Sequence, residues 1–404
     1  MKLALIIDDY LPDSTRVGAK MFHELAVELV YRGHQVTVIT PCINHNEDLH
    51  CDSLDGVNIW HFKSGPIKDV SKLQRAINET MLSIRAWRAI KSKVHKDTFD
   101  GIVYYSPSIF WGRLVFNLKK RCRCSAYLVL RDLFPQWVVD AGILKKGSAL
   151  ERYFRYFERY SYRQADKIGL MSEGNLNIFR SFDNKFPSEV LRNWASIKPF
   201  TQASEKLVSF RERLNLTDKV IFLYGGNIGH AQDMANLMRL VKGMLNYKQA
   251  HFLFVGQGDE VDLVNELSSS WNLTNFTLLP SVSQSEFKQL LTEVDVGLFS
   301  LSANHTSHNF PGKLLGYMVE SLPILGSVNA GNDLLETINR NNAGYVYING
   351  EDDKLLEAAE HLLFQQELRL EIGQCSHKLL IEQFSVTAAA STIEIGLEAN
   401  NAFD

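Results

Sequence analysis

The sequence predicts an α/β protein made of two successive doubly wound halves. Three observations predict it. Short apolar runs such as LALIID (3–8), GIVYYS (101–106), KVIFLY (219–224) and VGLFSL (296–301) read as strands buried on both faces, as parallel sheets require. Stretches with apolar residues at three- and four-residue spacing separate these runs, which is the strand–helix alternation of a parallel sheet. The alternation runs once, passes a polar connector, LRNWASIKPF (191–200), and begins again. The expected division is residues 1–197, residues 198–384, and a last helix over 385–404 that returns toward the first half.

Composition supports a globular chain of that size. Of 404 residues 45% are apolar and 22% charged, which excludes a disordered chain and leaves room for two full cores. No apolar run reaches the length of a membrane span. The opening MKLALIIDDY is not a signal peptide, because its apolar run is short and ends in two aspartates. Five cysteines with no metal-ligand rhythm read as reduced thiols of a cytoplasmic protein. Charge is unevenly divided. Residues 1–200 hold 30 Lys and Arg against 21 Asp and Glu, and residues 201–404 hold 13 against 25, so the halves stand at +9 and −12. A basic first half favours an anionic surface or ligand.

In the first half, LALIID leads into the loop DYLPDSTRVG. A helix follows with Val17, Met21, Leu25 and Leu29 on one face, then Gly33 and the strand QVTVIT. This is a β-α-β opening without G-x-G-x-x-G, which argues against a nicotinamide dehydrogenase. Asp9, Asp13, Arg16 and Gly18 lie after the strand's carboxyl end, where α/β ligands bind. Residues 71–96 predict one amphipathic helix with seven basic residues against Glu79 alone. It either lies on an anionic membrane or packs into the core with a solvated basic back. The strand CSAYLVL places Asp132 at its carboxyl end. Ser148 and Glu151 have capping-box spacing before ERYFRYFERYSYRQ, whose aromatics alternate with arginines. No nucleic-acid module accompanies that pattern, so it reads as core packing with snorkelling arginines.

The second half opens with KVIFLY and the turn GGNIGHAQDM. HFLFVGQGDE and NFTLLPSV follow, and then a capping box at Ser283 and Glu286. VGLFSL leads to HTSHNFPGKLLGYMVESLP (305–323), a polar loop with two histidines running into a helix that starts at Pro311–Gly312 and ends near Ser321. Lys313 in its first turn makes a candidate anion site. The strands PILGSV and YVYIN follow, and the tail from about 352 is helical.

Taken in order, four segments resemble the family-4 (group 1) glycosyltransferases. They are DYLPDSTRVGAKMFHELAVELVYRGHQVTVIT, YGGNIG, FVGQGDE and FPGKLLGYMVESLPILGSV, and the resemblance covers nearly the whole chain. RDLFPQ together with FPGKLLGYM is similar to bacterial N-acetyl-L-fucosaminyl transferases of O-antigen and capsule assembly. The resemblance implies the GT-B fold, two Rossmann-like domains facing a cleft. It implies transfer of a deoxy-aminosugar, best represented by N-acetyl-L-fucosamine from UDP, to a saccharide on polyprenyl pyrophosphate at the inner face of the cell membrane. Partners would be that donor, that lipid-linked acceptor and an anionic membrane surface, with no nucleic acid. No cofactor is implied and, with no Asp-x-Asp loop in place, no metal. The same fold also serves nucleotide-sugar 2-epimerases and non-catalytic nucleotide-sugar binders, which stay open as alternatives.

The resemblance assigns roles residue by residue. Gly226, Asn227 and Gly229 would approach the donor phosphates, Lys313 the distal one, with Arg16 and Gly18 closing from the first domain. Ser281 and Val282 would bracket the base, and His305 and His308 would meet the sugar. The family's two glutamates eight apart fall here on His308 and Gly316, and its usual Arg and Lys on Asn227 and Gln232. Glu320 either replaces the missing ribose contact or is a core-edge glutamate. These departures leave retention or inversion open. Inversion needs a base for the acceptor hydroxyl, for which Asp132 comes first and Asp9 or Asp13 next. Asp132 could equally be a helix cap or an arginine's partner.

Overall fold

The computed structural model describes all residues except 15, 44–46, 67–69, 107, 141, 199–207, 305–309 and 402–404. The chain forms two compact units. One is Met1–Arg192 together with Val386–Asp404, and the other is Asn193–Ser385. The first crossing between them thus falls a few residues before the expected 197/198.

Eight strands make the first sheet: β1 (Lys2–Ile6), β2 (Gln35–Cys42), β3 (Leu49–Leu54), β4 (Val57–Lys63), β5 (Gly101–Ser106), β6 (Ser125–Leu130), β7 (Lys167–Leu170) and β8 (Ser188–Val190). Their order is β3-β4-β2-β1-β5-β6-β7-β8. Among the described residues only β3 runs antiparallel in this sheet. The apolar runs are central because they are buried on both faces: Leu5 lies opposite Val38 and Val103, and β6 is buried along its whole length. The β3–β4 hairpin has no counterpart in the sequence reading. Its turn is Asp55–Gly56, with φ of +50° and +81°, the pair of positive angles a type I′ turn needs.

The helix expected over 71–96 forms as Lys72–Ile90. Leu82, Ala86 and Ile90 are fully buried in the first core, together with Val94 just beyond the helix. The carboxyl-terminal part of the helix therefore faces protein, while Ile77 near its start is 54% exposed. Arg88, Lys91, Lys93 and Lys96 are exposed, while Arg85 turns inward to Ser64 Oγ (3.3 Å) and Asn78 Oδ1 (3.1 Å). The last helix, Val386–Asn401, belongs to the first unit. Arg32 ties it down by donating to Glu394 Oε2 (2.6 Å) and Thr387 O (2.7 Å), and Leu397 is fully buried.

The second sheet has six parallel strands: β9 (Val220–Asn227), β10 (Ala250–Gln257), β11 (Phe276–Leu279), β12 (Val296–Ser300), β13 (Ile324–Val328) and β14 (Gly344–Ile348). Their order, β11-β10-β9-β12-β13-β14, is the doubly wound order in which the chain steps out from the centre twice. Alternation along β9 divides two cores. Ile221 and Leu223 face one and Phe222 and Tyr224 the other. Gly256, opposite Gly226 in the ladder, keeps the strands close: a Cβ there would sit 1.8 Å from Gly226 O. The capping box at Ser283–Glu286 forms in full. That at Ser148 forms by half, since Ser148 Oγ accepts Glu151 N but the Glu151 carboxylate takes Gly147 N instead.

Candidate active site

In the second sheet the strand order reverses between β9 and β12, and ligands of doubly wound sheets bind outside the carboxyl ends at such a point. Tyr317 is built into it. Its buried hydroxyl lies 3.1 Å from Leu223 O of β9 and 3.0 Å from Leu298 O of β12, donating toward them. It accepts Gly225 N at 3.3 Å. Tyr317 stands one turn after Lys313 on the same face of the helix Lys313–Val319, so the anchor to the strands also places the lysine. The Lys313 ammonium lies over the Tyr224 ring, 3.4 Å from its centroid. Beside it is Gly226, whose φ of +119° favours glycine. A Cβ on Gly226 would meet Lys313 Cε at 3.6 Å and Nζ at 3.7 Å. The Tyr224 hydroxyl in turn donates to Asn227 O and holds the turn.

Burial lowers the Lys313 pKa from 10.5 to about 7. The residue keeps part of its surface in solvent, but the ammonium itself sits on an aromatic face. Among the described residues it makes no ion pair with a carboxylate. Burial therefore makes the proton costly here until an anion arrives. The helix is shorter than the expected 311–321: it has seven residues and no side-chain cap at Gly312, so the lysine rather than the helix dipole supplies the charge.

The other expected donor residues fall around this point to different degrees. Gly226 and Asn227 are exposed, and the Asn227 amide donates to Gln232 Oε1 at 2.8 Å. Gly229 is a packing glycine, since a Cβ would come within 2.5 Å of Asp259 Oδ1. Next to it, exposed His230 meets Glu260 at 2.8 Å and Asp259 at 3.5 Å. The hydrogen bond the imidazole donates to Glu260, then the Asp259 charge, raises the imidazole pKa. Ser281 is exposed and Val282 packs at the edge of a core, both after β11. Glu320 caps the far end of the lysine's helix, about 10 Å along the axis from Lys313 at 1.5 Å per residue. His305 and His308 lie outside the described residues.

The first sheet reverses between β1 and β5, and a different chemistry gathers there. Asp9 accepts from Ser14 Oγ at 2.7 Å and has Arg16 Nε at 3.7 Å. Gly18 gives room to Tyr105, whose hydroxyl would be 3.2 Å from a Cβ. Burial raises the Tyr105 pKa to about 12, Arg131 opposes the rise, and Asp132 and Asp8 add to it. These groups therefore share one neighbourhood. Arg131 is buried, which lowers its pKa to about 10, and it donates to Leu191 O (2.5 Å) and Arg192 O (3.1 Å). Asp132 is exposed at the residue level, yet crowding by protein raises its carboxyl pKa, with Arg131 pulling the other way. Asp13 is exposed in the loop after β1.

Sequence reasoning missed several participants. Tyr224 and Tyr317 bracket Lys313, and the i, i+4 spacing of Lys313 and Tyr317 was a signal for the second. Glu79 was read only as charge balance on a basic helix. Burial raises its pKa, Arg75 lowers it, and Asp8 adds to the rise, so Glu79 joins the carboxylates at the end of β1. Nothing in the local sequence signalled that.

Residues 208–378, within the second unit, match the family model described as Glycosyl transferases group 1. The chain is 26% identical over 219 residues to a probable glycosyltransferase, WbjE, of Pseudomonas aeruginosa, spanning about half of each protein (54% and 54%). It is 23% identical over 330 residues to WcaI of Escherichia coli K12, a putative colanic acid biosynthesis glycosyl transferase, spanning 78% of this chain and 80% of that one. Among solved structures, Anabaena HepE in complex with UDP and glucose superposes with a TM-score of 0.65 at 14% identity, covering 99% and 100% of the two chains. The fold is GT-B, two Rossmann-like units in one chain.

Proposed function

We propose that this protein is a polysaccharide-assembly glycosyltransferase that moves a sugar from a nucleoside diphosphate donor to a lipid-linked saccharide. The carrying observation is Lys313, held on the Tyr224 ring beside Gly226 at the point where the second sheet reverses. The group 1 glycosyltransferase model matches within the same unit, and one relative named a probable glycosyltransferase and one named for colanic acid biosynthesis support the reading. Our finer reading is UDP as the nucleotide and N-acetyl-L-fucosamine as the sugar. It rests on RDLFPQ and FPGKLLGYM.

In this reading the donor diphosphate binds at Gly226 and Lys313. As the glycosidic bond lengthens, charge grows on the leaving phosphate, and the lysine ammonium stabilises it where water is scarce. No metal is assigned a part, so transfer should proceed without added Mg²⁺ or Mn²⁺. Asp132 takes the proton of the acceptor hydroxyl, and the burial that raises its pKa favours that uptake. The bond made is acceptor oxygen to anomeric carbon, and the bond broken is anomeric carbon to phosphate oxygen. The exposed Arg88, Lys91, Lys93 and Lys96 would draw the first unit to anionic lipid. Their neutralisation should weaken binding to anionic liposomes, and unchanged binding would take the membrane surface out of the reading.

The test is transfer of labelled sugar from UDP-N-acetyl-L-fucosamine to extracted polyprenyl-linked acceptor, with other UDP-, GDP- and dTDP-sugars in parallel. Product with the first donor supports the whole reading. Product only with another donor removes the sugar assignment and keeps the enzyme class. Epimerised donor without acceptor would show the 2-epimerase instead, and donor binding with no turnover a binding protein.

A further inference from the structure

We propose that the first unit holds a zinc-class metal site made by Asp13, Cys42 and His61, a role distinct from the sugar transfer above. One ligand atom from each lies within 4.8 Å of the others. The three come from different elements. Asp13 is in the loop after β1, Cys42 is the last residue of β2, and His61 is on β4 beside it. Strands β2 and β4 are parallel neighbours, so Cys42 and His61 are fixed by the sheet rather than by a flexible loop. Both are buried, at 6% exposure each. Asp13 is exposed and closes the group from the solvent side.

The donor set selects the ion. A thiolate, an imidazole and a carboxylate are borderline-soft ligands that suit Zn²⁺ and its neighbours, while Mg²⁺ and Ca²⁺ prefer oxygen alone. Zinc bonds of about 2.0–2.3 Å place tetrahedral ligand atoms roughly 3.3–3.8 Å apart, so the group must contract by about 1 Å to close. The backbones of Cys42 and His61 are held by the sheet, and rotation of their side chains with movement of the Asp13 loop would supply the contraction. A water would complete the fourth position. On binding, the Cys42 thiol loses its proton to solvent, its sulfur pair goes to the metal, and no electron changes hands. The ion would tie the loop that carries Asp9, Asp13, Arg16 and Gly18 to β2 and β4. It would thereby order one wall of the first unit's switch point.

The experiment uses full-length protein stripped by chelator and titrated with Co²⁺. One equivalent should produce a thiolate-to-cobalt charge-transfer band with the visible intensity of a four-coordinate ion, and Zn²⁺ should displace it. Cys42→Ser should lose the charge-transfer band, whereas Cys51→Ser and Cys375→Ser should keep it. Should Cys42→Ser fail to fold, Asp13→Asn changes only an exposed loop residue, and it should weaken Zn²⁺ at least tenfold in competition with a chromophoric chelator. No thiolate band in the native protein overturns the site, as does a band that survives Cys42→Ser, or an Asp13→Asn affinity equal to the native one. Because the readout is metal binding, its failure leaves the transfer reading untouched, and failure of transfer leaves the site standing.

Discussion

The two units reverse their sheets in the same way and arm the reversal with opposite chemistry. Between β9 and β12 stand one lysine, an aromatic face beneath it and a glycine turn. Around the end of β1 stand Asp8, Asp9 and Glu79, with Asp132 following β6, and the nearby arginines are already engaged. The bulk charge runs the other way. The lysine lies in the half that carries −12, and the carboxylates lie in the half that carries +9. Net charge thus describes the outer surface a partner approaches, while the site's own charge is set by a few buried neighbours. In the proposed reading the second switch point meets an anion and the first accepts a proton.

Two substitutions would break that contrast most sharply. Asp132→Asn removes the proposed base and leaves the second unit untouched. Transfer should fall by about 100-fold or more, within the usual contribution of general-base catalysis, with UDP affinity by calorimetry unchanged. Near-normal turnover would hand the role to Asp9 or Glu79. Lys313→Ala acts on the other side. Losing one preorganised charge donor costs about 100-fold in rate, and here UDP binding should weaken as well. If affinity for UDP were unaltered, the lysine would be only a cap on the Tyr224 ring.

Tyr317→Phe sharpens the comparison without touching a charge. The hydroxyl serves Leu223 O, Leu298 O and Gly225 N at once. Its removal leaves buried backbone groups short of a partner, a cost of about 1–3 kcal/mol. Chemical denaturation should show that loss, and UDP affinity should drop because Gly225 and Lys313 are no longer referenced to the same point. Full stability in the phenylalanine variant would mean that the strands hold the turn by themselves.

How much of this was legible in the sequence follows from how local each feature is. The central strands of both sheets could be read because burial on both faces leaves continuous apolar runs, whereas β3, with no buried residue, left no such run. Gly226 and Lys313 could be read because each sits in a motif with its own backbone demand. Tyr317's hydroxyl could not, since Leu223 and Leu298 come to it only when the sheet forms. The same holds for Cys42 and His61: their spacing along the chain has no metal rhythm, and only the parallel pairing of β2 and β4 makes them neighbours. The helix at 72–90 shows the converse. Its periodic apolar stripe fits a membrane face as well as a core, and packing buries Ile90 and Val94 at its end while Ile77 stays exposed.

The smallest effect is a pH dependence that belongs to one switch point alone. In the free protein, burial favours the neutral amine of Lys313 and brings its pKa to about 7. A bound diphosphate favours the ammonium and raises it. Below about pH 7 the lysine is already charged in the free protein, so UDP affinity should be level. Above that, binding must take up a proton, and affinity should fall by up to tenfold per pH unit until the bound-state pKa is reached. Calorimetry at about pH 8 in buffers of different ionisation heat should then show close to one proton entering with UDP. Lys313→Ala should take up none, and Lys313→Arg, charged at every such pH, should bind with no slope. A native protein whose affinity is flat across this range would carry a lysine that never loses its proton, and the aromatic seat would then be a wetter place than its burial implies.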